Sequence, residues 1–213
     1  MKKVVITGHT SGIGKAICDA LSENDFEIIK LYSRLEDFNA LELEAKEIAK
    51  NNDIDILINC AGFGIFAPHE EIKPKNIAKL LAVNLTAPVM LCNIFLRNLK
   101  ATKGHIINIS SVEATRHSKF SALYTASKSG LRDFSLSLFE EVRKSGVKVT
   151  TINPDITKTA FFDELNFRPS EQQGSFLDPI EIASVVLQAI KLEGVVTDIT
   201  LRPQIHQLEK VSR

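Results

Sequence analysis

Tyr124 and Lys128 stand four residues apart in Tyr124-Thr125-Ala126-Ser127-Lys128. On a helix that spacing places both on one face. A phenol at its reference pKa of ~10 is a poor proton donor and acceptor at neutral pH. A neighbouring ammonium favours the phenolate, and lowering the pKa by ~3 units takes about 4 kcal/mol of differential stabilisation. A tyrosine tuned in this way can exchange a proton with an alcohol or carbonyl oxygen. The same pair on a solvated helix face does no chemistry, so its surroundings decide. Ser110-Ser111 ends a β-branched run, thirteen residues before Tyr124. A serine hydroxyl at the carboxyl end of a parallel strand can bond to a reacting oxygen. Asn84 falls in the helical pattern Ala82-Val83-Asn84-Leu85, where asparagine is unfavourable unless its amide is used.

A second chemical element lies near the N-terminus. An apolar run ends in Thr7-Gly8-His9-Thr10-Ser11-Gly12-Ile13-Gly14, and a helical pattern follows. Glycines there allow a tight turn and a close backbone approach, and the helix N-terminus offers N–H groups and partial positive charge to a pyrophosphate. The spacing is G-x-x-x-G-x-G rather than the common G-x-G-x-x-G; an ordinary tight turn is the alternative. The end of the next strand should face an adenosine ribose. An acidic residue there would hold the 2′-hydroxyl of NAD, but the chain has Tyr32-Ser33-Arg34. A hydroxyl and a guanidinium suit a 2′-phosphate, because arginine binds phosphate through charge-assisted, bidentate bonds. NADP(H) is therefore favoured over NAD(H), the alternative being that Arg34 is a solvated loop residue.

Positioning these groups requires strands whose ends converge. Short apolar runs at Lys3–Thr7, Glu27–Tyr32, Ile54–Asn59, Gly104–Ser110, Val147–Ile152 and Val195–Leu201 read as six strands. Helical patterns at Gly12–Asn24, Ala40–Asn51, Lys75–Leu99, Ser121–Lys144 and Ile180–Leu192 lie between them. That alternation predicts an α/β fold: a parallel sheet, covered by helices on both faces. The expected spatial order of the strands is 2-1-3-4-5-6 in chain numbering. A single domain is expected over residues 1–213, with Thr159–Asp178 as a binding loop inside it.

Composition removes several function classes. Lys+Arg and Asp+Glu both number 26, for a formal net charge of zero, so no global field draws in nucleic acid or anionic lipid. No apolar run is expected to approach the ~20 residues that span a bilayer. Three scattered cysteines, Cys18, Cys60 and Cys92, suggest neither a disulfide framework nor a metal site, and a cytoplasmic location is expected.

In these motifs the chain resembles the short-chain dehydrogenase/reductase family over nearly its whole length. T-G-x-x-x-G-x-G falls on Thr7, Gly8, Gly12 and Gly14, and N-N-A-G is present as Asn59-Cys60-Ala61-Gly62. The family's Asn-Ser-Tyr-Lys tetrad falls on Asn84, Ser111, Tyr124 and Lys128, and Ile152-Asn153-Pro154 with Thr159 matches the loop over the nicotinamide. The resemblance implies a Rossmann-type doubly wound sheet and hydride transfer between a nicotinamide and a carbonyl or secondary alcohol. It implies that Tyr124 is the acid/base and that Lys128 lowers its pKa while holding the nicotinamide ribose. Ser111 would orient the substrate oxygen, and Asn84 would support a water relay. Cofactor contacts are implied for Gly8, Ser11, Gly12, Ile13, Gly14, Ser33, Arg34, Asn59, Ala61 and Gly62, and for Tyr124, Lys128, Pro154 and Thr159. A homodimer or homotetramer, pairing through the two long helices, follows from the same resemblance.

The chain departs from the family pattern at three places. Cys60 replaces the second asparagine of N-N-A-G; it is read as a tolerated small residue, a redox-active thiol being the sharper alternative. Asp155 replaces a glycine after Pro154, where aspartate tolerates left-handed backbone better than most residues. Only nineteen residues separate Arg34 from Ile54, too few for a crossover helix and another parallel strand. Strand two should therefore be an edge, with Asp37 standing in for the acidic residue of the missing strand. Phe161, Phe162, Phe167 and Phe176, with Phe63 and Phe66, suggest an apolar carbonyl substrate, the alternative being that most of them are core or interface. Glu113, Arg116 and His117, between Ser111 and Tyr124, could reach the same pocket, although a lone histidine such as His117 is more often a loop residue than a ligand or catalyst. A catalytically silent nucleotide-binding sensor or scaffold is the alternative function.

Overall fold

The structure, a computed structural model, describes residues 1–211. Six strands form its main sheet: β1 Lys3–Ile6, β2 Glu27–Lys30, β3 Ile56–Asn59, β4 His105–Ile109, β5 Lys148–Pro154 and β7 Asp198–Leu201. Their order is β2-β1-β3-β4-β5-β7, and every pairing is parallel. This is the order expected from the sequence. The strands read as unbroken apolar runs because both faces are covered. Val5, Leu57, Ile106 and Val149 point into one core, with Leu41, Leu91, Phe95, Leu99 and Val142 from helices α2 (Phe38–Asn51), α4 (Ala87–Thr102) and α5 (Ala122–Val142). Their neighbours Val4, Ile6, Ile58, Ile107 and Ile152 point into the other. There they meet Ile17 and Leu21 of α1 (Gly12–Ser22) and Ile182 and Val186 of α6 (Pro179–Lys191).

Among the described residues, no strand forms between Arg34 and Ile54, and β2 is an edge. The connection goes straight into α2. Asp37 caps that helix, its Oδ1 accepting from Ala40 N at 3.1 Å. It is therefore committed to the helix end and does not face the sheet as a substitute for a missing strand.

The expected single helix at Lys75–Leu99 is interrupted. Helix α3 (Pro74–Leu81) passes through a π turn, Ala82–Thr86, before α4 begins. Asn84 lies in that turn, and π turns are frequent at functional sites. The combined segment Pro74–Thr102 is long and apolar enough, by length and composition, to cross a bilayer. This corrects the expectation that no run comes close. The apolarity has a packing cause: Leu91, Cys92, Phe95 and Leu99 fill the core under the sheet.

The chain beyond the last parallel strand also differs from expectation. Strand β8 (Leu208–Lys210) returns to pair antiparallel with β6 (Phe167–Pro169), which lies within the 159–178 loop. A two-stranded ribbon thus ties that loop to the segment after β7.

His105 opens β4 and is 4% exposed. Its Nε2 lies 2.7 Å from Thr150 Oγ1. Burial is the main cause that pushes its pKa down from 6.5 to about 3, and the Lys148 charge adds to it. The folded state thus keeps His105 neutral where the unfolded chain takes up a proton, so stability is full above pH 6.5 and falls as pH drops toward 3. At pH 5 the loss attributable to this group is about 2 kcal/mol. Urea melts of wild type and His105→Asn at pH 7 and pH 5 check this; equal acid losses in the two proteins would exclude His105 as the cause.

Candidate active site

The β1–α1 turn is shaped by what its glycines leave out. Gly8 and Gly12 have φ of +71° and +52°, a region that disfavours side chains. A methyl on Gly8 would stand 2.7 Å from Ala61 N, and one on Gly14 would stand 2.0 Å from Gly8 O. Thr7 Oγ1 ties the turn to the end of β3, accepting from Cys60 N and Ala61 N at 3.1 Å each. Ser11 is the N-cap of α1, and its side chain makes no capping bond. The N-terminus of α1 therefore faces an open cleft of about 720 Å³ with its first N–H groups available to an anion. Gly8, Ser11, Gly12, Ile13, Gly14, Ala61, Gly62 and Thr159 line that cleft. A close-packed backbone turn that admits no Cβ at Gly8 or Gly14, together with an uncapped helix N-terminus, fits a dinucleotide pyrophosphate.

Asn59, expected at the cofactor, is elsewhere. It is buried beneath the floor, and its Nδ2 donates to Asn108 Oδ1 at 2.8 Å. It supports the strand ends rather than lining the cleft. Cys60 does line the cleft, but burial pushes its thiol up to about 12. A thiol held in that form is no redox nucleophile at neutral pH.

A second cavity, of about 1120 Å³, opens beyond the first. Ser111, Tyr124, Pro154, Asp155 and Phe167 line it, while Ile13, Phe66, Thr159 and Phe161 line both cavities. Tyr124 is 6% exposed. Its ring lies 5.1 Å from Phe66 and 5.9 Å from Phe161, centroid to centroid. Burial pushes the phenol up to about 12, the Ser111 hydroxyl pulls it back, and the Glu113 charge adds to the rise.

Lys128 follows on the same face of α5, its Nζ 6.0 Å from the Tyr124 ring centre and donating to Ile109 O at 2.9 Å. Burial lowers its pKa to about 8. The lowering of the tyrosine by the lysine, expected from the sequence, is not what acts here: desolvation raises the phenol, and the group that pulls it back is the Ser111 hydroxyl. Asn84 uses its whole amide: Oδ1 accepts from Phe63 N at 3.1 Å, and Nδ2 donates to Phe63 O and Ser127 Oγ. Gly62 keeps this floor open, since a methyl there would come within 3.2 Å of both Asn84 Oδ1 and Lys128 Nζ.

Charged groups form a chain along the second cavity. The side chain of Asp155 is 1% exposed and accepts from Arg202 Nε at 2.9 Å and from Arg116 Nη2 at 3.4 Å. Arg116 Nε in turn donates to Glu113 Oε1 at 2.8 Å. Burial alone would raise Glu113, but Arg116, Ser118 and Ser121 hold its carboxyl below the usual range. Asp155 has no positive φ, so the residue replaces the family glycine without needing left-handed backbone. Arg202 was not legible as a partner because it lies 47 residues away and no local pattern marks it.

At the end of β2, Ser33 and Arg34 stand outside both cavities. The Arg34 side chain is 83% exposed, with Glu36 at 4.0 Å. The acidic group nearest the strand end comes from α2. Glu44 Oε1 accepts from Tyr32 N at 2.9 Å, and Oε2 from Ser33 N at 2.8 Å.

The family model for short chain dehydrogenase matches residues 42–169. The chain belongs to that family. Curated relatives of this short-chain dehydrogenase include carbonyl reductase family member 4 of Xenopus laevis, 29% identical over 88% of this chain and 90% of that protein. Among solved structures, an alcohol dehydrogenase from the archaeon Thermococcus sibiricus, complexed with 5-hydroxy-NADP, superposes with a TM-score of 0.87 at 23% identity, covering 97% and 98% of the two chains. A 4-hydroxyisoleucine dehydrogenase complexed with NADH gives 0.84 at 22%, covering 95% and 98%. The fold likeness to the first of these structures covers 97% of this chain, well beyond residues 42–169 of the family match.

Proposed function

We propose that this short-chain dehydrogenase is an NADP(H)-dependent oxidoreductase that interconverts a carbonyl and a secondary alcohol, with Tyr124 as the acid/base. One observation carries the reading. The Tyr124 phenol, beside Ser111, lies where the glycine-turn cleft and the aromatic-walled cavity share residues. The cleft lined by Gly8, Ser11, Gly12, Ile13 and Gly14 would hold a nicotinamide cofactor, whose chemistry would be to supply or accept the hydride. Tyr124 donates its proton to the substrate oxygen as negative charge develops there. A phenol pushed up to about 12 is protonated at neutral pH, which is the form that carbonyl reduction consumes. Ser111 bonds the same oxygen and fixes its approach. Lys128 places a positive charge under the floor, where it stabilises the phenolate left behind. Asn84 holds the Phe63 backbone beside it. Phe66, Phe161, Phe162 and Phe167 give the substrate cavity apolar walls, which suits an apolar ketone or aldehyde. NADP(H) is favoured because Arg34 reaches into solvent at the β2 end, where the 2′-phosphate would lie.

The test has two arms. NADPH oxidation is followed with a panel of apolar ketones, aldehydes and 3-oxoacyl thioesters; turnover with at least one class is expected. Cofactor binding without turnover would favour a nucleotide sensor instead. Calorimetry with NADPH and NADH on wild type and Arg34→Ala forms the second arm. The variant should lose about tenfold or more in NADPH affinity and little in NADH, the scale of a charge-assisted phosphate contact. Equal affinities in wild type would refute the cofactor preference.

A further inference from the structure

We propose that Glu44 sets the balance between the two cofactors: its carboxylate opposes a 2′-phosphate at the end of β2 and accepts from a ribose 2′-hydroxyl. The inference rests on the reading above that the β2 end faces the adenosine ribose.

Glu44 lies in the middle of α2, on a helix whose other face packs Leu41 and Ala45 into the core. In sequence it looks like one more acidic residue of a solvated helix face. The short connection changes that. With only 31–37 between β2 and α2, the helix turns back onto one face of the sheet and brings Glu44 to the strand end. Both carboxylate oxygens are engaged there, with Tyr32 N at 2.9 Å and Ser33 N at 2.8 Å. Burial would raise the carboxyl, but the Ser33 hydroxyl and the two N–H donors outweigh it and hold the group below its ordinary value. It is therefore ionised at neutral pH.

The consequence concerns the donors that are taken. A 2′-phosphate at this edge is bound by positive charge and by N–H or O–H groups. Arg34 supplies the charge. Glu44 already occupies the N–H groups of Tyr32 and Ser33, and it adds a negative charge within one residue of Arg34. A phosphate of about −1.5 to −2 charge is repelled by a carboxylate several ångströms away. A hydroxyl is not repelled, and the remaining lone pairs of Glu44 can accept from it. Arg34 and Glu44 thus pull in opposite directions, and the missing strand is what lets an acidic helix residue take part.

The experiment isolates the 2′ substituent. Adenosine 2′,5′-bisphosphate and AMP differ only in that phosphate, and both are titrated calorimetrically into wild type, Glu44→Gln and Arg34→Ala. Glu44→Gln should raise the bisphosphate-to-AMP affinity ratio about tenfold, the scale of one charge–phosphate contact at partly exposed sites. Glu44→Asp keeps the charge but withdraws it by one methylene, and should raise the ratio by a smaller amount. It also serves if the glutamine variant folds poorly. A ratio unchanged within twofold in both variants would make Glu44 a clamp on the strand end only, and overturn the proposal. If Arg34→Ala lowers the ratio while the Glu44 variants leave it unchanged, the cofactor reading stands and the Glu44 inference alone falls. If Arg34→Ala also leaves it unchanged, the β2 end is not the 2′ site, and both fall.

Discussion

Tyr124→Phe is expected to abolish turnover while leaving cofactor binding nearly intact. The substitution removes one oxygen and keeps the ring. The contacts of that ring with Phe66 and Phe161 persist, so the aromatic wall and the fold around it should survive. What disappears is the proton. Loss of a positioned general acid costs about 10²–10⁴-fold in rate. No neighbouring group can take over: Ser111 is a weak acid, and the Lys128 amine is turned toward Ile109 O. The residues of the glycine-turn cleft do not include Tyr124, so the NADPH dissociation constant should stay within about threefold of wild type. Steady-state kcat and calorimetric Kd on the same preparation separate the two effects. Turnover within about threefold of wild type would remove Tyr124 from the mechanism.

The elements that the sequence made legible share one property: their signals are local. Val4-Val5-Ile6 and His105-Ile106-Ile107 declare buried strands because both faces of a parallel sheet are covered. The glycine turn declares itself because only residues without Cβ fit between β1, β3 and α1. The features that stayed hidden depend on pairings across the chain. Leu208-Glu209-Lys210 carries no apolar run and is a strand only because β6 lies opposite it. The π turn at Ala82–Thr86 accompanies bonds from Asn84 to the Phe63 backbone, 21 residues earlier. Asp155 marks a departure from a family glycine, but its local sequence does not show the two arginines, from positions 116 and 202, that make it an anchor. Glu44 was hidden for the same reason. The short connection after β2 was visible, and the missing strand followed from it, but the side chain that would come to occupy the vacated edge did not.

Gly14→Ala should be the most damaging single-methyl change in the cofactor cleft. Two effects compete. Alanine is the better helix former by about 1 kcal/mol, and Gly14 lies in the first turn of α1, where the gain should be smaller. Against this, the new methyl would stand 2.0 Å from Gly8 O and 2.7 Å from Gly8 C. Those are backbone atoms, which cannot rotate away as a side chain would. Nor can Gly8 retreat on its far side, where Ala61 N is already so near that a Cβ on Gly8 would meet it at 2.7 Å. Gly8 is thus held between α1 and the end of β3, and the helix itself has to move off the sheet. Overpacking of this kind costs about 1–3 kcal/mol or more, which exceeds the helix gain. The displaced element is the one whose N–H groups face the cleft, and a shift of about 1 Å there can cost 10²-fold in rate. Gly194→Ala is the control, since a methyl at that position meets nothing within 4 Å. Thermal melts and NADPH calorimetry on the two variants should show a lower Tm and a large loss of affinity for Gly14→Ala only. An unchanged Tm together with unchanged NADPH affinity in Gly14→Ala would mean that α1 can shift freely at its N-terminus, and that close packing of this turn is not what shapes the cofactor cradle.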